Sequence, residues 1–297
     1  MNADSIKARL KNLAIKEDGT FQDKLVTYAL ERSIYRLSIP EYANRFTLKG
    51  GIFLYALFDR QFARATTDID LLAQSIPNDA EVMKAVFESI FVIEYDDALR
   101  FDLNSLEVTN ITEFKEYHGV NVSINAYLDR TRIPVSIDIG FGDVIYPDRI
   151  EMEFPALLDM DEPKIYAYSV YYVIAEKFEA FTSLGLAGSR YKDFYDIYIL
   201  ARKFDLDGKE LQEAVRETFD NRGTYFDDIA AFDSEFTKDA VRQNRWKAFV
   251  RKKKAMEQVS FEETITLVKR VLSPIVEAIE NDTRFSRKWS CAELQWK

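Results

Sequence analysis

Apolar residues recur along this chain at two spacings, and the change from one to the other divides it. Over residues 21–38, Leu25, Tyr28, Ala29, Ile34 and Leu37 return close to every 3.6 positions, which predicts a helix that Pro40 ends. "RFTLKGG" (45–51) reads as a short strand running into a glycine turn, and 52–59 as an apolar helix. In "TDIDLLA" (67–73) the spacing falls to two, so Ile69 and Leu71 share one face of a strand while Asp68 and Asp70 share the other. A helix is predicted from Pro77 to Val92, with Asp79 and Glu81 in its first turn. Strands near 103–110 and 119–128 precede "RIPVSIDIGFGD" (132–143), where Val135, Ile137 and Ile139 alternate with Ser136, Asp138 and Gly140. From Ser169 the helical period takes over, with helices over 169–184, 190–204, 208–220, 235–255 and 260–281. The pattern predicts an α+β chain, with a mixed α/β domain over 1–150 and a helical domain over 151–297.

Composition narrows the chemistry. With 297 residues and 47% hydrophobic content, the chain has enough apolar material for a full core. The single Cys291 excludes an intrachain disulfide framework and a cysteine-based zinc site, and the single His118 excludes a multi-histidine metal site. The amino-terminal "MNADSIKARLKNL" lacks an apolar core of signal-peptide length, and no run is long enough to span a bilayer. A cytoplasmic protein without membrane contact is expected. The net charge of −10 argues against a general nucleic-acid coat but leaves room for a local basic patch.

Two aspartates on one strand face, followed at once by Leu71 and Leu72, are costly unless something pairs with them. An Asp-x-Asp pair alone is common at strand ends, and Gly-Gly is common in turns. The ordered combination says more: Gly50-Gly51, then Arg64, Thr66 and Thr67, then Asp68 and Asp70, and later the isolated strand residue Asp138. Phosphoryl transfer needs divalent metal held by a few carboxylates, and a glycine turn at a helix start can present N–H groups to phosphates.

On these residues the chain resembles the AbiEii-type nucleotidyltransferase toxins, a branch of the polymerase-beta-like nucleotidyltransferase superfamily. The resemblance rests on "LKGGIFLYALF" and "RATTDIDLL", then "VIAEKFEAF" (173–181) and "SRYKDFYDIYIL" (189–200), and covers roughly residues 45–205. Ile52 departs from it, standing where a Thr or Ser often follows the glycines. The resemblance implies a polymerase-beta-like domain with a mixed sheet, followed by a helical domain. It implies that Asp68 and Asp70 hold one or two magnesium ions and that Gly50, Gly51, Arg64, Thr66 and Thr67 lie near the nucleotide. Lys177 would contact the triphosphate, Asp193 would be a further catalytic or orienting carboxylate, and Arg190, Asp196 and Asp138 would support the site. A nucleoside triphosphate substrate, an RNA acceptor with the tRNA 3′ end foremost, growth arrest and a cognate antitoxin are implied with them.

The residues around Lys177 bear on that role independently. Val170, Val173, Ile174, Phe178 and Phe181 mark the apolar side of a helix, and Lys177 falls within that stripe. A lysine there is either functional, snorkelling, or paired with Glu176 or Glu179. If it is functional, its removal is expected to leave stability nearly unchanged. Further on, "RQNRWKAFVRKKK" (242–254) carries seven Lys or Arg and no acid, with Trp246 and Phe249 between them. Its Arg251, Lys252, Lys253 and Lys254 are candidate RNA contacts, and the same segment reads as a helix with aromatics inward and cations outward. The competing functions are a small-molecule nucleotidyltransferase and a non-catalytic nucleotide-binding module.

Overall fold

The computed structural model describes residues 2–60, 66–112, 118–142, 145, 148–185, 190–227, 229–251 and 258–297. Arg64, Lys252, Lys253 and Lys254 lie outside the described residues. The chain forms two compact units, one of residues 1–142 and 150–167, the other of 143–149 and 168–297.

The first unit opens with α1 (Ala3–Lys16) and α2 (Phe21–Leu37), each capped by a side-chain oxygen, from Asn2 and Thr20. Then come β1 (Phe46–Lys49), α3 (Gly50–Leu57), β2 (Ile69–Ala73), α4 (Ala80–Phe91), β3 (Leu99–Thr112), β4 (His118–Leu128), β5 (Thr131–Gly140), β6 (Ile150–Glu153) and β7 (Lys164–Ala167). Asp59 and Arg60 take positive φ and end α3. Asp79 caps α4 rather than lying within it, its carboxylate accepting from Val82 N–H. The seven strands make one mixed sheet in the order β3-β4-β5-β2-β1-β7-β6. Hairpins join β3, β4 and β5; β2 runs parallel to β5, and β1 parallel to β7. Val122, Ile124, Val135, Ile137 and Ile139 are fully or almost fully buried, so the alternation expected for β5 holds. Residues 151–167 lie beyond the expected boundary at 150 yet belong to this unit, where Leu48 of β1 pairs with Ala167.

Charged groups are also buried here. Arg36 makes two bonds to Asp97, at 2.7 and 3.3 Å. Glu31 pairs with Arg32 at 2.6 Å and accepts from Leu157 N–H. Burial pushes the Glu31 carboxyl above its ordinary range, outweighing the attraction of Arg32 and the Leu157 bond.

The second unit holds α5 (Val170–Leu184), α6 (Tyr191–Lys203), β8 (Leu206–Asp207), α7 (Gly208–Arg222), α8 (Ala240–Arg251), α9 (Phe261–Glu280), β9 (Lys288–Ser290) and β10 (Gln295–Trp296). The helices expected from the 3.6 period are present, and a three-stranded sheet β10-β9-β8 adds to them. α8 starts at Ala240 rather than 235, because the Asp239 carboxylate accepts from Arg242 N–H at 2.7 Å and caps the helix there. No described helix is long and apolar enough to cross a membrane.

Candidate active site

Asp68, Asp70 and Asp138 converge. Asp70 on β2 and Asp138 on β5 are direct partners across parallel strands, and Asp68 lies two residues before Asp70. One carboxylate oxygen from each lies within 4.8 Å of the others. Among the described residues this is the one cluster of three side chains able to hold a metal ion. All three are partly exposed, so a ligand can reach them. An all-oxygen, carboxylate-rich set suits a hard divalent cation such as magnesium.

The surroundings hold these carboxylates in place. Thr66 is buried, and its hydroxyl donates to Asp68 Oδ1 at 3.1 Å. Asn121 on β4 donates from Nδ2 to Asp138 Oδ1 at 2.6 Å and to Ser136 Oγ at 2.8 Å. Gly51 N–H, in the first turn of α3, points to Asp70 Oδ2 at 3.4 Å. Gly50 has φ +66°, and a Cβ there would stand 1.9 Å from that same oxygen. The glycine pair thus lets the start of α3 press against a site carboxylate. Thr67 is exposed beside Asp68.

Lys49 is a site residue that the sequence reading passed over. It is the antiparallel partner of Asp70, and its Nζ lies 3.4 Å from where a Cβ on Gly140 would stand. Its side chain therefore reaches across β2 toward β5 on the triad's face. The signal was available: the strand before Gly50 ends in a cation, and a strand period of two fixes its face.

In the second unit, Lys177 on α5 pairs with Asp196 at 2.7 Å and Asp193 at 3.2 Å, both on α6. Arg190, at the start of α6, lies 3.7 Å from the other Asp193 oxygen. The Lys177 side chain is 11% exposed, and those of Asp193 and Asp196 are 4% and 0% exposed. Glu176 and Glu179, the alternative partners, are engaged by another cation. Arg222 of α7 takes both, at 2.9 and 2.7 Å, and Thr224 donates to Glu179 at 2.6 Å.

α8 turns Trp246 and Val250 into the core, while Arg245, Lys247 and Arg251 are exposed. Trp246 donates its indole N–H to Val259 O at 2.8 Å, and Phe249 packs near Tyr191 and Tyr195. The aromatics of this segment are structural, and its described cations outside Arg242, which sits over the Phe236 ring, face solvent.

A mixed sheet with Asp70 and Asp138 on adjacent strands, Asp68 just before the first of them and a helix start against Asp70 fits the family match, which makes the protein a nucleotidyltransferase. Residues 32–266 match the family described as "Nucleotidyl transferase AbiEii toxin, Type IV TA system", and the chain belongs to that family. The match extends on both sides of the 45–205 span that the motifs cover. No curated protein matches the chain. Among solved structures, JHP933 of Helicobacter pylori is 14% identical with a TM-score of 0.43, over 86% of this chain and 92% of its own. A second H. pylori protein, described as a "putative nucleotidyltransferase", is 14% identical with a TM-score of 0.46, over 86% and 96%.

Proposed function

We propose that the chain transfers a nucleoside monophosphate from a nucleoside triphosphate to an RNA acceptor, with the tRNA 3′ end foremost, and releases pyrophosphate. The observation that carries this reading is the triad of Asp68, Asp70 and Asp138 set against the Gly50-Gly51 turn. In the transfer, an acceptor hydroxyl oxygen bonds to the α-phosphorus while the bond to the pyrophosphate oxygen breaks. Asp138, oriented by Asn121, takes the hydroxyl proton. Asp68 and Asp70 would hold magnesium, with Thr66 fixing the Asp68 carboxylate. Magnesium bound there would neutralise phosphate charge and align the reacting oxygens. The N–H groups at the start of α3 would receive phosphate oxygens, with Thr67 and Arg64 close by in sequence. Lys177 would supply a cation to the triphosphate, with Asp193, Asp196 and Arg190 as its positioning residues.

A toxin of a type IV system is paired with an antitoxin. Unopposed expression would arrest growth by blocking acceptor ends. The test is incubation of the purified protein with α-labelled nucleoside triphosphates, magnesium and total bacterial RNA. Label should enter a tRNA-sized band, vanish with a chelator, and fall about a thousandfold for Asp68→Asn, since losing several kcal/mol of charge stabilisation costs tenfold per 1.36 kcal/mol. Label found only in small molecules would assign an antibiotic-type acceptor instead. An Asp68→Asn protein with the parent rate would overturn the site.

A further inference from the structure

β3, β4 and β5 are 14, 11 and 10 residues long, against five in β2 and four in β1, so the hairpin layer runs well past the carboxylate triad. One of its faces is the buried core face. The other is the face of Asp138, and register fixes what stands on it. Proceeding from Asp138 toward the β4–β5 turn, cross-strand rows place Asn121, then Ser123 with Ser136, then Asn125 with Pro134, then Tyr127 with Arg132. Arg100 of β3 completes that last row as the partner of Tyr127, and its guanidinium lies over the tyrosine ring at 4.8 Å. Both arginines are exposed. Arg130 in the adjoining turn is exposed as well, while its neighbour Asp129 is engaged by Lys7 at 3.1 Å. A chain of net charge −10 thus gathers cations around one aromatic ring on the triad's own face. Six residues of strand separate Arg132 from Asp138, about 20 Å. The steps between them along β4 and β5 carry hydroxyls, amides and a proline, but no charge. The acids on this face, Asp102 and Glu107, stand on the edge strand β3.

We infer that this face is the track of the acceptor strand, with Arg100, Tyr127 and Arg132 gripping single-stranded RNA some 20 Å upstream of the triad. The inference rests on the RNA-acceptor reading above. Guanidinium planes and tyrosine rings stack unpaired bases, and exposed arginines pair with phosphates. The uncharged hydroxyls and amides of β4 and β5 then give the strand a path to the carboxylates beside the acids of β3 rather than over them. The occupant is RNA rather than a protein because the grip joins a stacking platform to cations and leads into the metal-binding cluster.

The test is steady-state transfer from labelled nucleoside triphosphate to total bacterial tRNA, for the parent and the R100Q/R132Q double variant, across a series of salt concentrations. The KM for tRNA should rise about tenfold. The slope of log affinity against log salt should become shallower by about 1.4, two single-strand contacts at ~0.7 each. Triphosphate affinity, measured without RNA, should be kept. Tyr127→Leu, which retains most of the buried area, should raise the same KM with less change in salt slope. A double variant with the parent KM and slope overturns this inference and leaves the RNA reading standing. A parent that labels no RNA overturns the reading and the inference together. A double variant that labels tRNA normally but escapes inhibition by the antitoxin would assign the face to that protein and overturn the inference.

Discussion

Gly50 and Asp70 are in contact in a way no other residue at position 50 permits: the space of a Cβ at Gly50 is occupied by the Asp70 carboxylate, 1.9 Å from Oδ2. Gly50→Ala must therefore displace the carboxylate or the start of α3, and must hold alanine at φ +66° as well. The backbone term alone costs about 1–2 kcal/mol. A misplacement on the order of 1 Å in a site carboxylate costs roughly a hundredfold in rate. Transfer should fall by that factor with only a modest drop in melting temperature. Manganese binding, followed by electron spin resonance, should weaken in parallel. Parent-like turnover and manganese affinity in Gly50→Ala would mean that Asp70 does not need its observed position.

Lys177 is bound by two carboxylates, and this reverses the expectation that its removal leaves stability nearly unchanged. Lys177→Ala would remove the 2.7 Å and 3.2 Å ion pairs of two buried aspartates and leave Asp193 the longer Arg190 contact at 3.7 Å, a loss of about 3–5 kcal/mol. A fall in melting temperature is therefore expected whatever the lysine does in catalysis. The two roles separate in single-turnover transfer measured well below the melting point and normalised to folded protein. Loss of transfer there supports contact with the triphosphate. Retained transfer leaves Lys177 a structural counter-ion.

Trp246 and its basic neighbours should behave in opposite ways. Trp246→Ala opens a cavity and strands the Val259 carbonyl, at about 3–5 kcal/mol, without changing RNA affinity per folded molecule. Neutralising Arg245, Lys247 and Arg251 should leave the melting temperature within a degree or two. If the segment touches RNA, the same change makes the salt slope shallower, by about 0.7 per lost contact. An unchanged slope assigns those cations to solvation.

The buried Glu31 gives a pH signature. Its folded pKa lies above the unfolded one, so the folded state holds more protons between the two values and stability contributed by this group falls as pH rises through that interval. Relative to Glu31→Gln, which does not titrate, the parent should gain melting temperature as pH is lowered from neutral into the carboxylate range. A parent that loses ground to the variant over that range would show that pairing with Arg32 outweighs burial.

Much of the site was legible because a strand period of two leaves little freedom. Val135, Ile137 and Ile139 had to face the core, so Asp138 had to face away, and the same logic joined Asp68 to Asp70. What the pattern could not supply was register across strands. Nothing local says that Asp70 meets Asp138 on one side and Lys49 on the other. The partner of Lys177 failed for a different reason. Glu176 and Glu179 are one and two positions away on the same helix, and such neighbours point to different sides. The aspartates that do meet it come from the next helix. α1 went unread although Ile6, Leu10 and Ala14 repeat every four residues, because a stripe one residue wide among charges carries little signal. Contact of 242–254 with RNA and nucleotide contact by Arg64 are expectations of the sequence pattern alone, and Arg64 and Lys252–Lys254 lie outside the described residues.

The β6–β7 hairpin makes the seven-stranded sheet a composite of two stretches of gene. A polypeptide stopped at Gly142 contains every strand of the carboxylate triad and all three aspartates, yet β1 would lose its parallel neighbour and become a bare edge. Glu31 would lose the Leu157 N–H, Arg32 the Asp161 carbonyl, and Arg60 the carbonyls of Ala156 and Leu157. The half-synthesised chain on a ribosome therefore carries all three aspartates of the triad well before it can hold them in place, and the sheet is completed only when residues near 167 emerge.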